Sequence, residues 1–115
     1  MKPINPSVVQ NKLNEFNGKE LFLHLETTNG AYASHKNEAA MTVGAYIRNG
    51  LIRYQHAKIT GNGPYRVGMK MDQGWVYAEG LTHYEVDGKD RLLLAGHDRD
   101  GKLAVACQIG VQPFN

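Results

Sequence analysis

The sequence predicts a mainly β domain: about seven antiparallel strands in a meander, curled into a closed or partly open barrel, with a two-sheet sandwich as the alternative and one helix near the N-terminus. Three observations carry that expectation. Apolar and polar residues alternate with period two through most of the 115 residues. Turn-forming pairs, Asn29-Gly30, Asn49-Gly50 and Asp87-Gly88, punctuate the alternation. One stretch alone, residues 5–17, has helical spacing with matching start and stop signals. Short connections imply antiparallel neighbours, and closure into a barrel is the economical way to remove exposed strand edges.

In the helix, Asn5 is placed to cap, Pro6 suits the first helical position, and Gly18 stands where a left-handed terminal residue belongs. Val9, Leu13 and Phe16 make one narrow apolar stripe, which predicts packing across an open end or one face of a sheet. Glu20 to Thr28 then alternates Leu21, Leu23 and Leu25 against Phe22, His24 and Glu26. After Asn29-Gly30, Ala31 to Ser34 reads as a short return strand. The centre of the prediction is Ala39 to Ile59. If Asn49 and Gly50 form a type I′ turn, Ile47 faces Ile52, Ala45 faces Tyr54 and Val43 faces His56, so that Met41, Val43, Ala45, Ile47, Ile52, Tyr54 and His56 share the core face. Gly61-Asn62-Gly63-Pro64 leads into a strand from Tyr65 to Met71, and Asp72-Gln73-Gly74 into a long strand from Trp75 to Val86, where Gly80 marks a bulge or bend. Leu92 to Ala95 is apolar on both faces and reads as a strand covered on both sides. Asp98 to Gly101 turns the chain into a last strand from Leu103 to Val111.

At this length the chain fits one domain, 1–115. A formal charge of +2 is too small for an electrostatic footprint, which disfavours nucleic-acid binding. The single cysteine, Cys107, excludes an internal disulfide, and the N-terminal residues lack a signal-peptide pattern, so a cytoplasmic location is expected. No apolar run approaches the ~20 residues of a membrane span.

The runs FNGKELFLHLETTNGAYASH at 16–35, RNGLIRYQHAKITGNGPYRVGMK at 48–70 and HDRDGKLAVACQI at 97–109 resemble the YojF-type family of small uncharacterised proteins from Bacillus and relatives. The resemblance spans the whole chain. It implies a compact β domain of unassigned function, in a family often found beside a zinc-dependent sugar-conjugate deacetylase of bacillithiol synthesis. It supplies no catalytic residues, and implies at most an accessory role.

Two His-x-Glu pairs, His24 with Glu26 and His83 with Glu85, each project from one strand face, and imidazole with carboxylate suits zinc, iron or nickel. Such pairs also arise on solvated strand faces, which is the reading preferred here. His56, on the inward side of the expected hairpin, together with Tyr54 and Trp75 would line a small-ligand pocket at a barrel mouth, although a core histidine bonded to backbone or water is the simpler account. Cys107 has the apolar surroundings of an inert packed thiol. Asp98-Arg99-Asp100-Gly101 lacks the distal ligands of a calcium loop, and no nucleophile-elbow pattern occurs. The expectation is therefore a non-catalytic domain without a cofactor, binding a partner protein or small ligand, with the apolar 92–95 strand offering a homodimer surface. The rivals are a small metal-dependent enzyme using some of His24, Glu26, His35, His83, Glu85 and His97 and, with Tyr46 outward between Arg48 and Arg53, a single-strand nucleic-acid binder.

Overall fold

The computed structural model describes residues 1–28 and 44–115. Its elements are β1 (Lys2–Pro3), α1 (Pro6–Glu15), β2 (Leu21–Thr28), β3 (Gly44–Ile52), β4 (Tyr54–Gly61), β5 (Tyr65–Met71), β6 (Trp75–Leu81), β7 (His83–Val86), β8 (Leu92–His97) and β9 (Leu103–Gly110). Among the described residues the ladders form two antiparallel sheets, one of six strands in the order β1-β7-β8-β9-β2-β3 and one of three, β4-β5-β6. The fold is mainly β with one helix, and its arrangement is the sandwich-like alternative rather than a closed barrel. The expected return strand at 31–34, together with Met41 and Val43, lies outside the described residues.

The helix starts as its sequence dictates: the Asn5 side chain accepts from the backbone N–H of Ser7 and Val8, and Pro6 follows. Val9, Leu13 and Phe16 are buried and belong to the core cluster. The helix also shields β4, an edge strand among the described residues. Gln10 donates to the carbonyl of Ala57 at 2.9 Å and accepts from the N–H of Ile59 at 3.0 Å, giving the outer strand the pair of bonds a neighbour would supply. The Tyr54 hydroxyl donates to the Leu13 carbonyl at 2.6 Å. Lys12, an unexpected buried cation, is neutralised by Asp90 at 2.6 Å.

Asn49-Gly50 is not a hairpin turn. β3 runs straight through it and pairs with β2, not with β4. Leu23 lies opposite Gly50 and Leu25 opposite Ile47, so two residues of β3, Arg48 and Asn49, stand against one of β2. This is a β-bulge, and Asn49 takes the left-handed conformation there, φ +57°. Its side chain clamps the segment that follows β9: Oδ1 accepts from the N–H of Phe114 at 2.7 Å and Nδ2 donates to the Phe114 carbonyl at 2.6 Å. Arg48 reaches the Asn115 carbonyl, and the guanidinium groups of Arg48 and Arg91 lie against the Phe114 ring. The chain instead changes sheets at Arg53. The expected core face holds only in part: Tyr54 is buried and Ile52 is half-buried against the core, whereas Ala45, Ile47 and His56 are exposed.

A second crossing, at Thr82, splits the expected long strand into β6 and β7. Gly80, with φ +77°, sits in the bulge foreseen for it. At this corner the two sheets approach tightly: a Cβ on Gly96 would strike the Gly80 carbonyl and, at 2.6 Å, Val105 Cγ1. The core between the sheets holds Leu21, Leu23, Leu92, Leu94, Cys107 and Ile109 from the larger sheet and Tyr54, Val67, Met69 and Leu81 from the smaller. β8 is an interior strand. Leu92 and Leu94 face the core and Leu93, on the opposite face, is half-buried.

Candidate ligand-binding face

The outer face of the three-stranded sheet gathers side chains that the core does not need. Cross-strand register puts His56 beside Lys70 and Trp75, and Lys58 beside Gly68 and Tyr77. Gly68 is central to the arrangement. Its missing side chain leaves a notch into which the Tyr77 ring settles, close enough that a Cβ on Gly68 would stand 2.9 Å from Cε1 of the ring. Tyr77 and Trp75 are nearly parallel, with centroids 5.5 Å apart and 5° between planes, and each is about half exposed, 46% and 51%. The Arg66 guanidinium lies 4.2 Å from the Tyr77 centroid and its Nε meets Glu79 at 3.3 Å, while Lys70 Nζ stands 5.6 Å from the Trp75 centroid. A shallow cleft of about 290 Å³ is lined by His56, Lys58, Thr60, Arg66, Gly68, Trp75 and Tyr77. Three cations and one carboxylate flank two flat rings, an arrangement suited to an anionic ligand with a planar ring.

Of the expected pocket residues, the structure brings His56 and Trp75 together and separates Tyr54 from both. A bulge is the reason. Tyr54 pairs with Met71 and His56 with Lys70, so Gln55 is an extra residue on β4 and the strand changes face across it. Tyr54 points into the core, where burial first, and the Cys107 thiol second, raise the pKa of its phenol well above the ordinary value.

The two His-x-Glu pairs lie on the outer face of the larger sheet, on β2 and β7, with β8 and β9 between them. They do not converge. His24 is buried rather than solvated: its ring packs against Tyr46 and Phe114, and Nε2 meets Glu26 Oε1 at 3.3 Å. Its buried Nδ1 has no hydrogen-bond partner among the described residues. Glu85 is engaged by the N-terminal amine at 3.6 Å, and His83 turns to His97 instead. His35 lies outside the described residues. Among those that are described, no group of three or more His, Cys, Asp or Glu gathers as a metal centre would. Cys107 is buried, and burial pushes its thiol up to about 12.

Sequence reasoning missed Tyr77 and the role of Gly68. The available signal was the Trp75-x-Tyr77 spacing, which places both rings on one face of a strand.

Fold and face together define a small two-sheet β domain with an aromatic and cationic outer surface. The chain belongs to the family described as protein of unknown function (DUF1806), whose model matches residues 3–114. It is 54% identical over 114 residues to the uncharacterized protein YojF of Bacillus subtilis (strain 168), an alignment covering 99% of this chain and 98% of that protein. The crystal structure of Bacillus subtilis YojF superposes with a TM-score of 0.81 and 46% identity, covering 99% of this chain and 96% of that one. No helix among the described residues is long and apolar enough to cross a membrane.

Proposed function

We propose that this is a non-catalytic binding domain whose ligand is a small anion bearing a planar ring, of the chemistry of a nucleobase joined to phosphate, laid against Trp75 and Tyr77. The observation that carries this reading is the seating of Tyr77 over Gly68, parallel to an exposed Trp75, with Lys58, Arg66 and Lys70 around them. Planar rings stack on such a shelf, and the cations offset the ligand's charge. A binding rather than a catalytic role is supported by the one cysteine being buried with its thiol held protonated.

Titration of tryptophan fluorescence with a mononucleotide and with single-stranded oligonucleotides of increasing length tests the reading and separates its two sources. Affinity that does not grow beyond one or two nucleotides means a small-molecule site; growth with length and a steep fall with salt means a strand. Trp75 is the chain's one tryptophan, so its variant is read by isothermal titration calorimetry with the same ligands: Trp75→Ala should weaken binding at least about fivefold, since stacking of one base on an aromatic side chain contributes about 1–3 kcal/mol. Saturation by neither ligand, or equal affinity in Trp75→Ala, would refute the proposal.

Self-association belongs to a different surface. In the described residues β3 ends the ladder order of the larger sheet, and Tyr46 and Leu51 on it are about two-thirds exposed, 66% and 62%. A homodimer through this strand is expected to show as a doubled mass in light scattering at micromolar concentration and to be lost in Leu51→Lys; a wild-type monomer would rule it out.

A further inference from the structure

At the corner where the chain passes from β6 to β7, two imidazoles meet. His83 opens β7 opposite Ala95 of β8, and His97 lies two residues beyond Ala95 on the same face, so the two are diagonal cross-strand neighbours. Their rings are 4.8 Å apart between centroids, and the two Nδ1 atoms are 3.1 Å apart. Thr82 Oγ1 stands 2.7 Å from His83 Nδ1, accepts the backbone N–H of His97 at 3.1 Å, and lies 3.4 Å from the Ala95 carbonyl.

This crowding is poorly served by hydrogen bonding alone. Each Nδ1 offers either one proton or one lone pair. If His97 donates to His83, the Thr82 hydroxyl competes for the same lone pair; if His83 donates, its one proton is shared between Thr82 and His97. A cation between the rings removes the conflict by taking both lone pairs. The separation fits. Two nitrogens at ~2.0–2.1 Å from one metal ion are about 2.9 Å apart at a right angle and about 3.4 Å apart at the tetrahedral angle, and 3.1 Å lies between.

We infer that His83 and His97 bind one late first-row divalent cation, of the class of copper(II), nickel(II) or zinc(II), through their Nδ1 atoms. Imidazole nitrogens select these ions over calcium or magnesium, and affinity should rise toward copper. With two protein ligands the ion keeps its remaining positions for water or an exogenous donor. Thr82 is a positioning residue: its Oγ1 holds the His97 backbone by accepting that N–H, and with His83 Nδ1 on the ion its hydroxyl donates to the Ala95 carbonyl.

The test is calorimetric titration of the untagged full chain with copper(II) and with zinc(II), alongside NMR of the imidazole protons as copper(II) is added. One equivalent should bind saturably, tighter for copper. Broadening at low copper should fall first on His83 and His97, and not on the exposed His56 of the other sheet. His83→Gln and His97→Gln should each weaken binding at least tenfold, and Thr82→Val about tenfold, as loss of supporting contacts does elsewhere. Because the ion binds the folded state, a concentration 100 times its dissociation constant should raise the folding equilibrium constant about a hundredfold in the parent and leave the double variant unmoved. Absence of saturable binding, affinity unchanged in the double variant, or broadening centred on His24, His56 or the N-terminal amine would overturn the assignment.

Discussion

Replacing Asn49 separates a clamp from a turn. In the structure its side chain makes two bonds to the backbone of Phe114, at 2.7 and 2.6 Å, and its backbone sits at φ +57°. Asn49→Ala removes both bonds, each contributing about 0.5–1.5 kcal/mol, and places a Cβ-bearing residue without a local hydrogen-bonding side chain in the left-handed region, at a further cost of about 1 kcal/mol. The sum is about 3 kcal/mol, which for a domain of this size is a fall of roughly 10–15 °C in Tm. Asn49→Gly tolerates the φ angle and loses only the bonds, so its expected cost is about 2 kcal/mol. That variant discriminates. At a type I′ turn glycine is as good as asparagine and Asn49→Gly would be neutral. Thermal and urea unfolding of the three proteins, with the fold checked by circular dichroism, provides the measurement. A neutral Asn49→Gly, or an Asn49→Ala within about 0.5 kcal/mol of the parent, would show that the contact with Phe114 contributes nothing and that the bulge is not what holds this segment.

Gly96→Ala should be far more damaging than its chemistry suggests, by more than about 4 kcal/mol, because the new methyl meets the Gly80 carbonyl where the sheets touch; Gly101→Ala, strained at φ +78° but open to space, should cost only about 1 kcal/mol, and equal urea midpoints for the two would refute the close approach. Stability should be intact below about pH 9 and decline above it. The Cys107 thiol and the Tyr54 phenol keep their protons in the fold, the thiol up to about 12, while the unfolded chain releases them near their ordinary values, so alkali favours unfolding with a slope approaching ~1.4 kcal/mol per pH unit for each group. Urea midpoints measured from pH 8 to 11 check this, and a flat profile would contradict it. Gly68→Ala should displace the Tyr77 ring, lowering ligand affinity severalfold while the unfolding free energy from urea titration stays within about 1 kcal/mol of the parent, and unchanged fluorescence titrations would count against the shelf.

Much of the fold was legible because periodicity and capping act locally. Asn5 and Pro6 began the helix where their chemistry places it, and the period-two runs of β2, β5 and β9 put Leu21, Val67 and Cys107 inside. Two of the misreadings share one cause, an unpaired residue within a strand. At Asn49 the sequence shows an alternation that changes phase across a residue suited to positive φ. A two-residue turn and a bulge both produce that signature, and only the long-range partner, β2 rather than β4, decides between them. At Gln55 nothing marks the extra residue, so His56 was assigned inward and emerged outside. Gly80 was foreseen because glycine within a strand advertises its irregularity. The meeting of His83 and His97 depends on a corner at Thr82 that has no glycine or proline, and no local pattern announces it.

Along β4, β5 and β6 the inward positions Ala57, Ile59, Val67, Met69, Ala78 and Leu81 are apolar, as burial between two sheets requires. The outward positions obey no such demand. Lysine, arginine, threonine and histidine there are what any solvated face carries, and a domain would lose nothing by placing threonine at 75 and 77 as well. Two half-exposed rings are a different matter. They leave apolar area in water that could have been buried, at about 25 cal/mol per Å², and one of them requires a glycine in the middle of the central strand, itself a cost of roughly 0.5–1 kcal/mol relative to alanine. Folding gains little from this combination, and Gly68 makes sense only with Tyr77 lying over it. The shelf is thus the part of the molecule that stability explains least, which is the physical reason to look there for what the domain binds.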